Sequence, residues 1–425
     1  MDKKRIVQMH SVILKGDAVS NVMQTIDNIN KEKGWNSNLI ADLFSEYGNI
    51  PVLASSDYDK TPLIPRLIYL ASRFIRLDNK IKWLIEYLNA KKHYKPKLAK
   101  ELIENADIRI WHYGAFYNLF RYFHNGDILF YHGITYPYLS YFSEFSIFSK
   151  TMLQAILDMN PFVIVGSKFI KQNLVDLGFK EQSIHILPLF HKYNLPYTKH
   201  YSAKPKLITW GRYALNKGIP ELVGMANKNK IKLRIFGDNI QLKEFSDQYK
   251  EALKANINNY ANLSGKIPNF EAELNQANIY ISNSYHEGFN MPLIEAEAHS
   301  LPILARRGTA MDELVKDGYN GFLFSDINEV PDLVSKIMKD YKHFSYNAWK
   351  HSQNFTYDKF KKRYLKILKK YKNSTLALLG FEVKNNSKVW YCNKHFKMQM
   401  IKQKGIISEI KHKNRFIKVK SGKYE

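Results

Sequence analysis

Short apolar runs alternate with stretches whose apolar residues recur at helical spacing, and this alternation sets the expected architecture. Residues 4–14 read as a strand covered on both faces, because Ile6, Val12 and Leu14 on one face and Val7, Met9 and Ile13 on the other are apolar. Val19, Val22, Met23, Ile26 and Ile29 then repeat with a helical period. Further runs at 37–41, 50–54, 107–113, 127–132, 161–165 and 184–187 continue the series, with helical bulk at 63–88 and a helix ending at Leu177. Residues 193–205 hold no period and read as a linker. A second alternation follows, with strands at 206–210, 232–236, 279–282, 302–305 and 321–324 and helices from Lys217-Gly218-Ile219-Pro220, after the glycine turn Gly308-Thr309-Ala310, at 330–341 and at 357–371. The pattern predicts an α/β protein of two halves, each with a parallel sheet.

The segments 1–192 and 206–352 are the expected domains, 353–378 a basic helix and 379–425 a basic tail. Short apolar runs at 389–391, 396–401, 406–410 and 416–419 make that tail a small β appendage.

The most informative stretch is 287–295, which follows the strand at 279–282. Gly288 lets a backbone approach a ligand, and Pro292 suits the first turn of a helix. Free N–H groups at such a corner attract an anion, so Gly288, Phe289, Asn290 and Met291 are candidate contacts for phosphate. Glu287 and Glu295 either accept from sugar and ribose hydroxyls or are solvated charges at a helix end. Arg212 and Lys217, on one loop after a strand, form either a clamp for a diphosphate or two ordinary surface cations. Gly16-Asp17 and Gly237 end strands in the same way, with Asp17 or Ser20 able to cap a helix. Two strands end in histidines, His112 and His132, either structural or catalytic, where an open α/β sheet binds its ligands.

Composition narrows the partners. The 425 residues carry a formal charge of +25, which calls for an anionic partner: phospholipid, nucleic acid or a phosphorylated substrate. Eight Lys and Arg with no acid fall within 359–372, on a helix whose other face carries Phe360, Tyr364, Ile367, Leu368 and Tyr371. Such a helix either docks on the protein with its cations solvated or rests on an anionic bilayer. Cys392 is the single cysteine, which excludes an internal disulfide and a cysteine-based metal cluster. No signal-peptide pattern and no spanning apolar run is present, so a cytoplasmic chain, peripheral at most on the inner face of a membrane, is expected. No zinc-ligand spacing, nucleophile elbow or phosphate-loop motif occurs, which disfavours metallohydrolases, ATPases and kinases.

Together these motifs resemble glycosyltransferase family four, retaining enzymes of the GT-B fold. The likeness rests on Glu287 to Glu295, Gly211-Arg212 with Lys217-Gly218, residues 308–313, and 317–324; in the first half it rests on residues 16–21 and 131–135. Asp17 and Ala18 stand where many members have consecutive glycines. The resemblance implies two Rossmann-like domains facing a cleft, with the acceptor on the first and a nucleotide-sugar on the second. It implies that Arg212 and Lys217 bind the donor diphosphate, Glu287 the sugar hydroxyls and Glu295 the ribose, with His132 beside the transferred sugar and Gly16 near the phosphate. The reaction expected is metal-independent, retaining transfer from a UDP- or GDP-sugar to a glycan or lipid-linked acceptor, by a hexosyltransferase-type enzyme that uses no cofactor. The rival readings are an epimerase or phosphorylase of the same fold and a nucleic-acid-binding protein. The 28 tyrosines and 25 phenylalanines are spread through both halves rather than gathered in the basic tail, which makes nucleic acid an unexpected partner.

Overall fold

The computed structural model of the chain describes residues 4–13, 15, 17–45, 47, 49–52, 95–112, 126–133, 156–198, 201–211, 215–237, 260–264, 269–378, 419–420 and 423–424. The expected helical bulk at 63–88, Gly16, Arg212, Cys392 and the tail runs at 389–391, 396–401 and 406–410 lie outside the described residues.

The first sheet begins with β1 (Arg5–Ile13), α1 (Ala18–Glu32) and β2 (Asn36–Ser45). Asp17 caps α1, its carboxylate accepting from the N–H of Ser20 at 3.0 Å, and the helix buries Val22, Met23, Ile26 and Ile29. Next come α2 (Pro96–Glu104), β3 (Ile108–His112), β4 (Ile128–Tyr131), β5 (Phe162–Val165), α3 (Lys168–Asp176) and β6 (Ile184–Ile186). The strands lie in the order β2-β1-β3-β4-β5-β6. β1 pairs in parallel with both β2 and β3, and β3 with β4. All four residues of β4 and of β5 are buried, which accounts for their unbroken apolar sequence.

The second sheet repeats the scheme with β7 (Lys206–Trp210), α4 (Ile219–Lys228), β8 (Lys232–Phe236), β9 (Ala261–Ser264), α5 (Phe270–Asn275) and β10 (Ile279–Ser282). It continues through α6 (Met291–Ala298), β11 (Ile303–Arg306), β12 (Gly321–Phe324), α7 (Val330–Lys339), α8 (Tyr341–Ser352) and α9 (Tyr357–Leu378). Its order is β12-β11-β10-β7-β8-β9, with every neighbouring pair parallel. Leu207, Ile281, Leu304 and Phe324 of the strands pack on Leu222, Val223, Val334 and Ile337 of the helices to form its core. At Gly321 a Cβ would meet the Ile303 carbonyl oxygen at 1.9 Å, so only glycine lets β12 start against β11.

Contacts group the chain into one unit of Met1–Ile164, Leu177–His185 and Ile367–Glu425, and a second of Val165–Asp176 and Ile186–Lys366. The 193–205 segment lies in the second unit, where Trp349 donates to the Leu195 carbonyl and Tyr193 stacks on Phe270. The end of α9 lies in the first, where the Tyr371 hydroxyl donates to the Gly126 carbonyl at 2.6 Å.

Three local expectations change. The glycine turn at Gly308 leads into a single 3-10 turn, Ala310–Glu313, instead of a helix, because the Asp312 carboxylate folds back to accept from the Gly308 N–H. The helix expected at 330–341 divides at Asp340, whose ψ of 48° is not helical, into α7 and α8. In the tail, the described strands are the short antiparallel pair Val419–Lys420 and Lys423–Tyr424.

Candidate active site

In each sheet the chain first builds outward on one side of a central strand and then returns to build on the other. The order reverses between β1 and β3 in the first sheet and between β7 and β10 in the second. Open parallel sheets bind ligands at the carboxyl ends of the strands flanking such a reversal.

A shallow, solvent-open depression sits at the second reversal, lined by Trp210 and Gly211 at the end of β7, Phe236 of β8, Ser282, Asn283 and Ser284 at the end of β10, and Lys217. Lys217 ends a 3-10 turn, and Gly218 follows at φ 57°, ψ 37° to start α4. A Cβ on Gly218 would fall 2.3 Å from Asn283 Nδ2, so glycine is required sterically as well as by its φ. Asn283 locks the loop by donating to the Gly218 carbonyl at 2.9 Å, while Arg306 Nε donates to Asn283 Oδ1 at 2.7 Å.

Lys217 Nζ lies 2.5 Å from Glu287 Oε1, with both side chains mostly buried. An ammonium carries three N–H donors, so two remain for an anion, and the second Glu287 oxygen can accept from hydroxyls. Glu287 is held by its own carbonyl, which accepts from Ala310 N–H, and the following Gly288 carbonyl accepts from Ser167 Oγ at 2.8 Å. Phe289 is buried against Gly166 and Phe355. Asn290 takes a left-handed conformation, φ 74°, and caps α6 by accepting from Leu293 N–H at 3.1 Å. Its amide also donates to Ser282 Oγ at 3.1 Å. With that cap in place and Pro292 lacking an N–H, the N–H at Met291 is the first-turn donor left to face an anion.

Glu295 stands one turn into α6. Desolvation raises its pKa to about 7, opposed by a hydrogen bond from Trp210 and the charge of Lys192. Tyr193 and Glu295 interact electrostatically, and Tyr193 packs edge-on against His299. A hydrogen-bonded carboxyl beside aromatic rings suits a ligand with paired hydroxyls and an apolar face.

In the first unit, His112 is fully buried at the end of β3, and His132 is half-buried just beyond the neighbouring β4. His112 Nδ1 and His132 Nε2 are 2.8 Å apart, and His112 Nε2 lies 3.0 Å from Gln8 Oε1 of β1. His10 Nδ1 lies 3.1 Å from the His112 carbonyl oxygen. Burial pushes His132 down to about 3 and lowers His10 and His112, with repulsion among the rings adding to the shifts of His112 and His132. All three are neutral near pH 7.

The structure therefore joins Lys217 to Glu287 and sets Glu295 on the same stretch, with Gly288, Phe289, Asn290 and Met291 between the two carboxylates. Gly237 is buried directly after β8. Asp17 is engaged as the α1 cap, and Gly16 and Arg212 lie outside the described residues. The sequence reading did not pick out Asn283, Trp210 or Gln8. The polar run Ser282-Asn283-Ser284 at a strand end was the available signal for the first; the other two become visible only once the strand order is known.

The architecture is that of the GT-B glycosyltransferases. A glycosyltransferase from Rickettsia africae superposes with a TM-score of 0.60 at 18% identity, covering 87% of this chain and 99% of that one. The Anabaena protein HepE in complex with UDP-glucose gives 0.56 at 14% identity, covering 88% and 99%. Residues 196–351, the stretch that holds Lys217, Glu287 and Glu295, match the family model described as Glycosyl transferases group 1. An uncharacterised glycosyltransferase of Methanocaldococcus jannaschii is 27% identical over 178 residues, 42% of this chain and 48% of the relative. The alignment thus spans about half the length of that curated relative.

Proposed function

We propose that the chain is a retaining glycosyltransferase that moves a sugar from a UDP- or GDP-sugar to a hydroxyl of a glycan or lipid-linked acceptor, without a metal ion. The observation that carries this reading is the Lys217–Glu287 pair, 2.5 Å apart, beside the Asn290-capped start of α6 and at the reversal of a parallel sheet. A diphosphate placed there meets the free donors of Lys217 and the positive end of α6. Those groups stabilise the charge that grows on the departing diphosphate as the bond from the anomeric carbon to the phosphate oxygen breaks. Arg212, on the same loop in sequence, adds a bidentate fork. The acceptor oxygen bonds to the anomeric carbon on the face the diphosphate leaves, and its proton passes to the leaving phosphate oxygen. Glu287 holds the sugar hydroxyls, Glu295 the ribose, and His132 faces the reacting sugar.

The likeness to a protein solved with UDP-glucose supports a nucleoside diphosphate-sugar donor. The exposed lysines 359, 362, 366, 369 and 370 form a stripe along α9 opposite its buried apolar face, which supports contact with an anionic membrane. Sedimentation with anionic vesicles, absent with neutral ones, checks that contact.

The test of the reaction is product analysis with each UDP- and GDP-sugar and a panel of glycan and lipid-linked alcohols. A product keeping the donor's anomeric configuration, formed equally with and without chelator, is expected. An inverted product or loss of turnover with chelator would refute the mechanism.

A further inference from the structure

The contacts around His112 have a direction. The Met23 carbonyl can only accept, so the Gln8 amide nitrogen, 3.0 Å away, must face it, and this turns Gln8 Oε1 toward His112. An amide oxygen can only accept, so His112 Nε2 carries the proton across the 3.0 Å contact. A neutral imidazole has one N–H, which leaves His112 Nδ1 a bare acceptor. His132 Nε2, 2.8 Å from it, must therefore be the donor. The remaining His132 nitrogen, Nδ1, then holds a lone pair and has no partner among the described residues. His10 does not disturb this order, because its Nδ1 donates to the His112 carbonyl oxygen at 3.1 Å.

We infer that Gln8 and His112 are positioning residues that fix His132 as the Nε2–H tautomer, so that its Nδ1 accepts a hydrogen bond from a hydroxyl of the bound sugar or acceptor. This rests on the transferase reading for the ligand but not for the proton order. The chain of polar groups runs inward from His132 through His112 and Gln8 to the backbone of α1, with Gln8 and His112 fully buried. Water cannot reset either group, and stacking of His132 on Phe130, with centroids 4.2 Å apart, holds the ring in place. A phosphate or carboxylate oxygen offers no proton at neutral pH and is repelled by that lone pair; a hydroxyl is accepted. The site thus selects a hydroxyl-bearing part of a ligand at this point. The titratable groups that face this chain are His10, Asp17, His112 and His132.

Gln8→Met tests the order by removing the Oε1 acceptor. His112 is then free to carry its proton at Nδ1 and donate it to His132 Nε2, which accepts, and the His132 proton moves to Nδ1. The measurement is a long-range proton–nitrogen correlation spectrum of the full chain labelled at histidine, assigned with His10→Gln, His112→Gln and His132→Gln, beside steady-state transfer kinetics. Ligand-free wild type should show His112 and His132 both protonated at Nε2, and this result needs no variant to fold. His132 protonated at Nδ1 in wild type would overturn the inference. In Gln8→Met, His132 should populate Nδ1–H and kcat/KM should fall severalfold in protein whose circular dichroism spectrum is unchanged. A switched tautomer with unchanged kcat/KM would overturn the ligand contact. The expected tautomers in a chain that turns over no nucleotide-sugar would support the proton order and refute the transferase reading.

Discussion

Replacing Glu295 with Gln should stabilise the protein while weakening its ligand, and the two effects separate with pH. The carboxyl on α6 has its pKa raised from 4.5 to about 7 by desolvation. A carboxyl raised in this way adds nothing below about pH 4.5, where it is protonated in both folded and unfolded chains. Between about pH 4.5 and pH 7 the unfolded chain ionises first, so the fold weakens as pH rises, and the full cost stands above pH 7. Two and a half units correspond to about 3 kcal/mol at 1.36 kcal/mol per unit. Gln keeps the shape and still accepts from Trp210, so Glu295→Gln should exceed wild type by no more than about 1 kcal/mol near pH 5 and by up to about 3 kcal/mol above pH 7. For a unit of this size that is about 6–12 °C in melting temperature. Nucleotide binding should move the other way, about three- to tenfold weaker, because a hydrogen bond to a charged acceptor is worth about 1.5–3 kcal/mol and a neutral one about half that. Melting curves near pH 5 and pH 8 with and without nucleoside diphosphates provide both readings. A variant no more stable than wild type at pH 8, or equally stabilised at both pH values, would refute the desolvation argument.

Other consequences follow from the same unit. Lys217→Met removes the partner 2.5 Å from Glu287 and should lower kcat/KM about a hundredfold or more, the scale of losing one preorganised group at a leaving charge; activity within threefold of wild type would count against the clamp. Gly218→Ala must hold φ 57° and displace Asn283, costing about 2–4 kcal/mol, which a melting curve would register as a fall; an unchanged curve would show that the loop is not packed as described. Arg212→Ala should abolish transfer while leaving the circular dichroism spectrum unchanged, and full activity would remove Arg212 from the diphosphate site.

The buried strands were legible because a strand covered on both faces must be apolar at every position, as in Phe162-Val163-Ile164-Val165. The stretch 287–295 was legible because a capped helix start carries local signals, here Asn290 and Pro292. β9 gave no such signal: Ala-Asn-Leu-Ser is an edge strand of four residues, and nothing in its composition distinguishes it from a loop. α8 was missed because polar groups hold much of its inner face, with Ser345 donating to the Ser300 carbonyl and His351 2.8 Å from the buried Glu297. Its apolar period is correspondingly broken. α2 carries Lys97 and Lys100 among its apolar residues, and its Pro96 start was the signal available. The pairings that make the site lie further from view: Lys217 and Glu287 are 70 residues apart, and Gln8 and His112 are 104 apart. Such pairs follow from strand order, in which β10 returns beside β7 and β3 beside β1, and local spacing carries no record of that order.

The central claim is that this chain binds a nucleoside diphosphate-sugar through the Lys217, Glu287 and Glu295 site. Its most direct test is a melting-temperature panel of the full chain with UDP, GDP, ADP and CMP and their common sugars. A ligand bound only by the folded state adds about 2.7 kcal/mol at a hundred times its dissociation constant. The account predicts a rise with UDP or GDP and its sugars, absent with CMP and lost in Lys217→Met. A folded protein whose melting temperature moves with none of these nucleotides would contradict it.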